Sequence, residues 1–322
     1  MPTTAEACEE LMKHLRARLP IDQRKMLNGS FWDVMDRILQ GKQTKNLRKS
    51  LHHRVSKELR YLRDRTAVTD PLLPRLQWLI ACHAVLAALQ FSNNKSEAKI
   101  HHWIPASYLR RFSVDIDAPP AERRKARVWE LDVSGAGRRI VESQSFAHEP
   151  IGDSGFYTLA SELFFSRIEA DASETVAGVR DGKYQRYQHL SAAAMMLVHE
   201  IRAPKSLPIK IFKRPTFRQI INDMGKRIDS FESLYVYFDQ PDERLPFTTF
   251  RTIRKRQLRD GQSAWYFPLA PDIAVIASER GLSYRKRAAV VKAGRAGAIA
   301  MARRNKDVAL YGLTPEELQL SR

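Results

Sequence analysis

Two adjacent histidines, His101 and His102, are the residues of this sequence whose types best suit chemistry. They open the segment His-His-Trp-Ile-Pro-Ala-Ser-Tyr-Leu-Arg-Arg-Phe, which covers residues 101–112. Imidazole binds metal ions and exchanges protons near neutral pH, so the pair could hold a metal or act in acid–base catalysis. Pro105 disfavours helix at Ile104, which predicts an extended or loop conformation for the pair.

A metal site would need more ligands than these two histidines, because zinc and similar ions usually take three or four from the protein. No H-E-x-x-H, C-x-x-C or H-x-x-x-H pattern lies near the pair, so further ligands must come from distant parts of the sequence. The candidates are His148 with Glu149, His189, and His199 with Glu200.

Residues 186–203 predict a helix that is apolar on nearly every side and is therefore central. A buried Arg202 or Glu200 on this helix must be paired or hydrogen-bonded. Two interpretations stay open at this point. The charged groups either form an internal ion pair that fastens the helix, or they serve a site as a carboxylate and an anion-binding arginine.

The formal net charge of +18 indicates an anionic partner. The charge is uneven, with +8 over residues 1–96, −2 over residues 97–201 and +12 over residues 202–322. Lysine and arginine bind phosphates with release of counterions, which favours DNA or RNA as the partner. The alternatives are a generally basic, soluble protein and an anionic membrane surface.

Residues 42–65 predict a basic amphipathic helix, because the apolar residues recur at helical spacing: Leu47, Leu51, Val55, Leu59 and Leu62. The opposite face is basic. The expected nucleic-acid contacts are Lys45, Lys49, Lys57, Arg60 and Arg63 on this helix, with Arg110 and Arg111 after the histidine pair. An equally weighted alternative is that the face is only a solvated surface.

Cysteine usage and hydropathy predict a cytoplasmic protein with no membrane partner. Cys8 and Cys82 lie far apart and form no metal or redox motif, which is typical of a reducing compartment. The most apolar stretch, residues 78–89, contains a histidine and is shorter than the roughly 20 residues that span a bilayer. It predicts a buried core helix. No motif for a small-molecule cofactor is evident, since Gly135 and Gly137 are typical of a tight turn.

The order of elements predicts an α+β fold, with a helical N-terminal region followed by a mixed core of mostly antiparallel strands and several helices. The expected units are 1–95, 96–312 and a short C-terminal helix or tail, 313–322. Within the core the sequence predicts a hairpin over 127–142, helices over 161–180, 186–203, 215–228 and 283–304, and strands over 234–238, 247–253, 264–269 and 273–277.

Residues 100–278 resemble the bacterial domain-of-unknown-function family 4238 in the order and spacing of their motifs. The similar segments are His101–Phe112, Val128–Asp132, Phe156-Tyr157, Ile168-Glu169, Arg202-Ala203-Pro204 and Phe267–Pro271. That family commonly places Asp-x-Pro after a strand beginning Pro-Phe, whereas Pro246-Phe247 continues to Ile253 without either residue. If the family's aspartate is a catalytic residue or a metal ligand, we expect this chain either to be impaired or to bind without cutting.

A shorter segment, the five residues His101–Pro105, resembles the first strand of HNH-type nucleases. In those nucleases, one histidine of a His-His pair is the general base and its neighbour helps to hold the metal. Those folds also need a following asparagine and a second metal-binding histidine on a helix soon afterwards. Here the next histidine, His148, lies 46 residues after His102.

Together these features favour a nucleic-acid-directed bacterial protein, with a metal-dependent nuclease or phosphodiesterase of defence or mobile-element biology as its catalytic form. In that form His101 or His102 is base or ligand, Glu169 is a further metal ligand and Arg202 stabilises phosphate charge. A divalent metal ion is then the expected cofactor. The alternative is a non-catalytic nucleic-acid-binding or scaffold protein in which the histidine pair is structural.

Overall fold

The computed structural model describes residues 3–65, 71–93, 100–102, 106–113, 127–132, 137–142, 148–150, 158–183, 185–202, 215–238, 244–248, 253–304, 310–314 and 317. The described residues form ten α-helices: α1 (Thr4–Ala17), α2 (Ile21–Arg24), α3 (Phe31–Leu39), α4 (Lys45–Arg65), α5 (Leu72–Phe91), α6 (Ala106–Leu109), α7 (Leu159–Arg180), α8 (Arg186–Arg202), α9 (Phe217–Asp229) and α10 (Tyr284–Arg304). They also form ten strands: β1 (Ile100–His102), β2 (Arg127–Asp132), β3 (Gly137–Glu142), β4 (His148–Pro150), β5 (Ser233–Phe238), β6 (Phe247–Thr248), β7 (Arg254–Gln257), β8 (Ser263–Ala270), β9 (Ile273–Ser278) and β10 (Leu310–Tyr311). This confirms the α+β class, the helical N-terminal region and the antiparallel pairing of the strands.

The centre of the helical layer is α5, whose residues are buried on almost every side by α1, α4, α7 and α8. Its length and composition match those of a membrane span, but 83% of its most apolar window is buried inside the protein. The expected core helix is therefore confirmed. It begins at Leu72, several residues before the apolar stretch 78–89, and it tolerates Pro74 because that residue lies in the first turn, where the backbone N–H needs no partner.

A four-stranded antiparallel sheet in the order β5-β9-β8-β7 lies between α8 and α10. Side chains of a strand alternate between the two faces, and here both faces are covered. Trp265 and Phe267 of β8 join the large core that includes α8, whereas Ala264 and Tyr266 pack with Val290 of α10 in a second cluster. The strands predicted over 234–238, 264–269 and 273–277 are confirmed within a residue or two of their ends.

A second four-stranded sheet has the order β3-β2-β10-β6, and its hairpin β2–β3 is the one that the sequence predicts. Strand β10 comes from near the C-terminus and pairs with β2 on one side and β6 on the other. The strand predicted over 247–253 differs from the structure. Within this range the described strand is only Phe247–Thr248, Ile253 lies outside any strand, and the next strand, Arg254–Gln257, joins the other sheet.

One hydrophobic core extends across the boundary that the sequence suggests near residue 95. Leu11 of α1 and Leu79 of α5 belong to the same cluster of buried residues as Phe164, Phe267 and Tyr311. The helical region and the mixed core are therefore packed as one body in the described residues. The linker at 94–99 lies outside them.

The predicted C-terminal helix is described only at its first turn. The backbone N–H of Thr314 donates to Glu317 Oε2 at 2.6 Å, and the Glu317 N–H donates to Thr314 Oγ1 at 3.3 Å. These two bonds form the expected capping box. The rest of the predicted helix lies outside the described residues.

Candidate nucleic-acid interface and adjoining cleft

Arg202 lies at the centre of a buried ion cluster between α7 and α8. Its side chain is fully buried, and Nη2 donates to both carboxylate oxygens of Glu162, at 3.0 and 2.9 Å. Nη1 donates to Glu169 Oε1, and the guanidinium lies 4.7 Å from the centre of the Phe165 ring. Two carboxylates on α7 therefore hold the end of α8.

The structure brings the two predicted site residues, Glu169 and Arg202, together. They bond to each other, however, and neither is open to a ligand. Burial raises the pKa of Glu169, and the neighbouring Glu162 carboxylate adds to this, whereas Arg202 opposes it. A metal ion on Glu169 or a phosphate on Arg202 would have to displace these bonds. The geometry is that of the internal ion pair, the first of the two interpretations drawn from the sequence.

The histidine pair lies on β1, whose backbone pairs antiparallel with β4. His102 is opposite His148, and His101 is opposite Glu149, so the register brings together two of the distant positions expected to supply ligands. The side chains of these four residues lie outside the description. Among the side chains that are described, no group of three or more His, Cys, Asp or Glu residues could hold a metal ion.

Arg111 is expected from the sequence to contact nucleic acid, but it is buried in the structure. Its side chain is buried, and its Nη1 and Nη2 donate to the backbone oxygen of Leu269 (3.4 Å) and to Ser173 Oγ (3.2 Å). Burial lowers its pKa to about 10. The structure does not present Arg111 to a partner, because it reaches inward from the short 3₁₀ turn Arg110–Phe112. Arg110 on the same turn is half-buried.

The Tyr-Leu-Arg-Arg-Phe part of the motif builds an aromatic core. The Tyr108 ring packs 4.2 Å from His199, 5.1 Å from Phe112 and 5.5 Å from Phe267, measured between ring centres. Its hydroxyl donates to the backbone oxygen of Pro268 at 2.6 Å. The motif that carries the family resemblance is thus architectural over residues 108–112. His199, expected as a distant ligand, is part of this core.

The exposed face of α4 matches the prediction for the basic helix. Its apolar residues Leu47, Leu51, Val55 and Leu62 are buried, and Lys45, Lys49, Lys57 and Arg60 are exposed. We call these four cations the α4 basic face. In the described part of the chain, none of them forms an ion pair with a carboxylate. Arg63 differs, because it contacts Asp171 at 3.5 Å and Glu174 at 3.3 Å.

Glu58, one of only two acidic residues on α4, lies away from the α4 basic face. Its side chain is nearly buried, where Oε1 contacts His14 Nε2 at 2.9 Å and Arg18 Nη1 at 3.9 Å. Both partners belong to the N-terminal part of the chain, on α1 and at its C-terminal end. The negative charge of Glu58 is therefore compensated from α1 and does not offset the cations on the opposite side of α4.

A cleft of about 460 Å³ adjoins the α4 basic face at Arg60, and its walls come from α4, α5, α7 and α8. On its floor, Asp171 Oδ2 accepts from the Tyr187 hydroxyl at 2.5 Å and contacts His83 Nε2 at 3.2 Å. Hydrogen bonds from His83 and Tyr187, with the positive charge of Arg63, lower the pKa of Asp171 against the opposing effect of burial. Asp171 is thus a carboxylate at neutral pH.

Reasoning from the sequence missed this cleft. The only local signal is His83, a histidine within the otherwise apolar stretch 78–89. Asp171 and Tyr187 lie on different helices, and their convergence on His83 depends on how α5, α7 and α8 pack.

No family model, no curated protein and no solved structure matches this chain.

Proposed function

We propose that this protein binds nucleic acid through the α4 basic face. The observation that carries the proposal is the exposure of four cations on one helix face without a carboxylate partner among the described residues. Lysine and arginine in such a position are free to neutralise phosphates, and the counterions released supply much of the affinity for DNA or RNA.

The spacing of the cations suits an extended polyanion. Lys45 and Arg60 are separated by about 22 Å along the axis, at roughly 1.5 Å per residue. At roughly 100° per residue, all four cations fall within about 120° of the helix circumference. The face is therefore a stripe of charge, which follows a phosphate backbone better than it would surround a compact anion.

The test is a salt titration of affinity for duplex and single-stranded oligonucleotides. We expect the triple variant Lys49→Ala/Lys57→Ala/Arg60→Ala to lower affinity and to reduce the slope of log K against log salt by about two to three units. The matched control is Lys13→Ala/Lys183→Ala/Lys226→Ala, which removes the same charge from exposed positions away from α4. Equal loss in both variants, or no affinity at low salt in the parent protein, would refute the proposal.

A second candidate function is that of a metal-dependent nuclease centred on the histidine pair. The observation in its favour is the register of β1 and β4, which sets His101 and His102 opposite Glu149 and His148. Elemental analysis of the purified protein and of His101→Ala/His102→Ala tests it. About one equivalent of a divalent metal that disappears in a folded variant supports this candidate, whereas no metal in either protein leaves the histidines structural.

We further propose a cytoplasmic location, which is supported by the two cysteines, Cys8 and Cys82. Both are buried free thiols, as is usual in a reducing compartment. Membership of residues 100–278 in family 4238 stays a prediction that rests on the motifs quoted above.

A further inference from the structure

The cleft beside α4 has a charge that its own residues do not balance. Three arginines line it, Arg60, Arg63 and Arg167, against the single carboxylate of Asp171. Arg63 contacts that carboxylate at 3.5 Å, and it also contacts Glu174 on the rim at 3.3 Å. After this compensation, two guanidinium groups remain.

Arg167 is the more informative of these two groups because it is partly buried. Its Nη1 donates to the neutral Gln90 Oε1 at 3.4 Å, its Nε lacks a hydrogen-bond partner, and it forms no ion pair within the described residues. Burial lowers its pKa. The Asp171 carboxylate opposes this effect without forming an ion pair with Arg167, and a cation held partly out of water in this way is stabilised further by a ligand that brings a negative charge into direct contact.

The floor of the cleft also contains an unsatisfied polar group. The His83 side chain is only 3% exposed, and its Nε2 is oriented by the Asp171 carboxylate. Its Nδ1 is buried and lacks a hydrogen-bond partner in the described part of the chain. Buried polar atoms are nearly always bonded, so this nitrogen is an exception; in the neutral ring, with Nε2–H donating to Asp171, it is a hydrogen-bond acceptor.

The rest of the lining limits the chemistry of that ligand. Leu59, Leu86 and Leu163 also line the cleft and give it apolar surface beside the arginines. The ligand should therefore combine an anionic group with a less polar body. The volume of about 460 Å³ lies within the range of roughly 300–1,000 Å³ that small-molecule sites occupy.

We propose that the cleft binds a phosphate monoester, held by Arg167 and Arg60, and that its source is the phosphorylated end of a nucleic-acid strand lying along the α4 basic face. Two free guanidinium groups match a monoester, which carries a charge of about −1.5 to −2 at pH 7. The planar guanidinium also fits phosphate oxygens in a bidentate manner. Arg60 borders both the cleft and the helix face, which joins the two surfaces. The choice of a strand end rests on the proposed function.

The experiment compares the affinity of the full chain for one oligonucleotide with a 5′-phosphate, a 3′-phosphate or hydroxyl groups at both ends. We expect one terminal phosphate to raise affinity by about tenfold, the effect of a charge-assisted hydrogen-bond pair. Arg167→Gln should abolish that difference, and it should lower the affinity for the unphosphorylated strand by no more than the loss of one exposed arginine does. The matched control, Arg218→Gln on the exposed side of α9, should keep the difference. Thermal melting confirms that both variants are folded.

The outcomes separate this inference from the proposed function. Equal affinity for all three strands would overturn the monoester site and leave nucleic-acid binding by α4 intact. A fourth ligand, adenosine 5′-monophosphate, tests the other source of a phosphate monoester, which is a free nucleotide. If it binds in an Arg167-dependent way and no strand binds at low salt, the monoester site stands, with a free nucleotide as its source, and the proposed function fails.

Discussion

At the scale of single residues, His199 shows how burial decides the charge of a side chain. Its ring packs 4.2 Å from Tyr108 and 4.9 Å from Phe267, between ring centres. Burial, with the positive charges of Arg202 and Arg111, holds its pKa well below the ordinary value of 6.5. The unfolded chain therefore takes up a proton below pH 6.5 that the folded protein excludes. The contribution to stability is complete above pH 6.5 and falls as the pH decreases.

We expect the free energy of unfolding to decrease below pH 6.5 by up to about 1.4 kcal/mol per pH unit from His199 alone. His189 adds in the same direction, because burial lowers its pKa to about 4. The variant His199→Phe should show a shallower dependence in urea denaturation between pH 7.5 and 5. An unchanged profile in His199→Phe would contradict this account.

Arg202 gives a second prediction at this scale, because removing it leaves two nearly buried carboxylates without their partner. Arg202→Met should lower the free energy of unfolding by about 3–5 kcal/mol. Adding Glu162→Gln and Glu169→Gln should recover most of the loss, since the uncompensated charges are then gone. Denaturant midpoints measure both effects. A stable Arg202→Met variant that had lost affinity for nucleic acid would instead assign Arg202 to the binding surface.

The sequence reveals which residues need partners but not which partners they find. A charged side chain on the apolar helix α8 had to be paired, and Arg202 is paired with Glu162 and Glu169. The partners come from α7, so they depend on the packing of two helices and on no local pattern. The same holds for Asp171 and Tyr187. The Tyr187 hydroxyl donates to Asp171 Oδ2 at 2.5 Å, and this hydrogen bond links α8 to α7.

At the scale of elements, the close approach of α10 to β8 depends on a missing side chain. A Cβ atom at Gly294 would lie 2.4 Å from Tyr266 Cδ1, so any larger residue must displace the tyrosine ring. We expect Gly294→Ala to lower the free energy of unfolding by about 1–3 kcal/mol despite the better helix propensity of alanine.

A double-mutant cycle isolates the cause of this effect. Tyr266→Leu removes most of the ring that the new methyl group would meet. Gly294→Ala should therefore cost less in the Tyr266→Leu background than in the parent, with a coupling free energy of about 0.5–3 kcal/mol. Additive effects of the two substitutions would indicate that the contact does not limit the packing of α10.

Elements with strong periodicity were the ones that the sequence could predict. The basic helix over 42–65 and the apolar helix α5 follow from spacing alone. Periodicity predicts less well at β6 and β7. The aromatic and β-branched run 247–253 predicts one strand, but its first two residues form β6 of one sheet, and the strand that begins just after it, β7, belongs to the other sheet. Which sheet a short strand joins is decided by distant partners, which no local pattern contains.

At the scale of the whole molecule, composition and element order were sufficient to predict the α+β class. The packing of the described residues, however, shows no structural boundary near residue 95. Helix α5 packs against α1 and α4 before that point and against α7 and α8 after it. Unfolding the N-terminal helices would expose the centre of the common core. We therefore expect the two regions to unfold together.

Chemical denaturation tests this with two probes that report on opposite sides of the boundary. Trp32 lies on α3, and Trp265 lies on β8. Single-tryptophan variants that keep one or the other should give the same transition midpoint within error. Two separate midpoints would show that the region before residue 95 is an independent domain.

Strand β10 has a consequence for how the chain is made. It lies between β2 and β6, so this sheet stays open until Tyr311 has left the ribosome, long after β2 and β6 have been synthesised. During that interval β6 and one side of β2 carry unbonded backbone groups, which are templates for pairing with other chains. A nascent chain stalled before residue 310 would keep these edges indefinitely. Protection by a chaperone is therefore most useful late in translation.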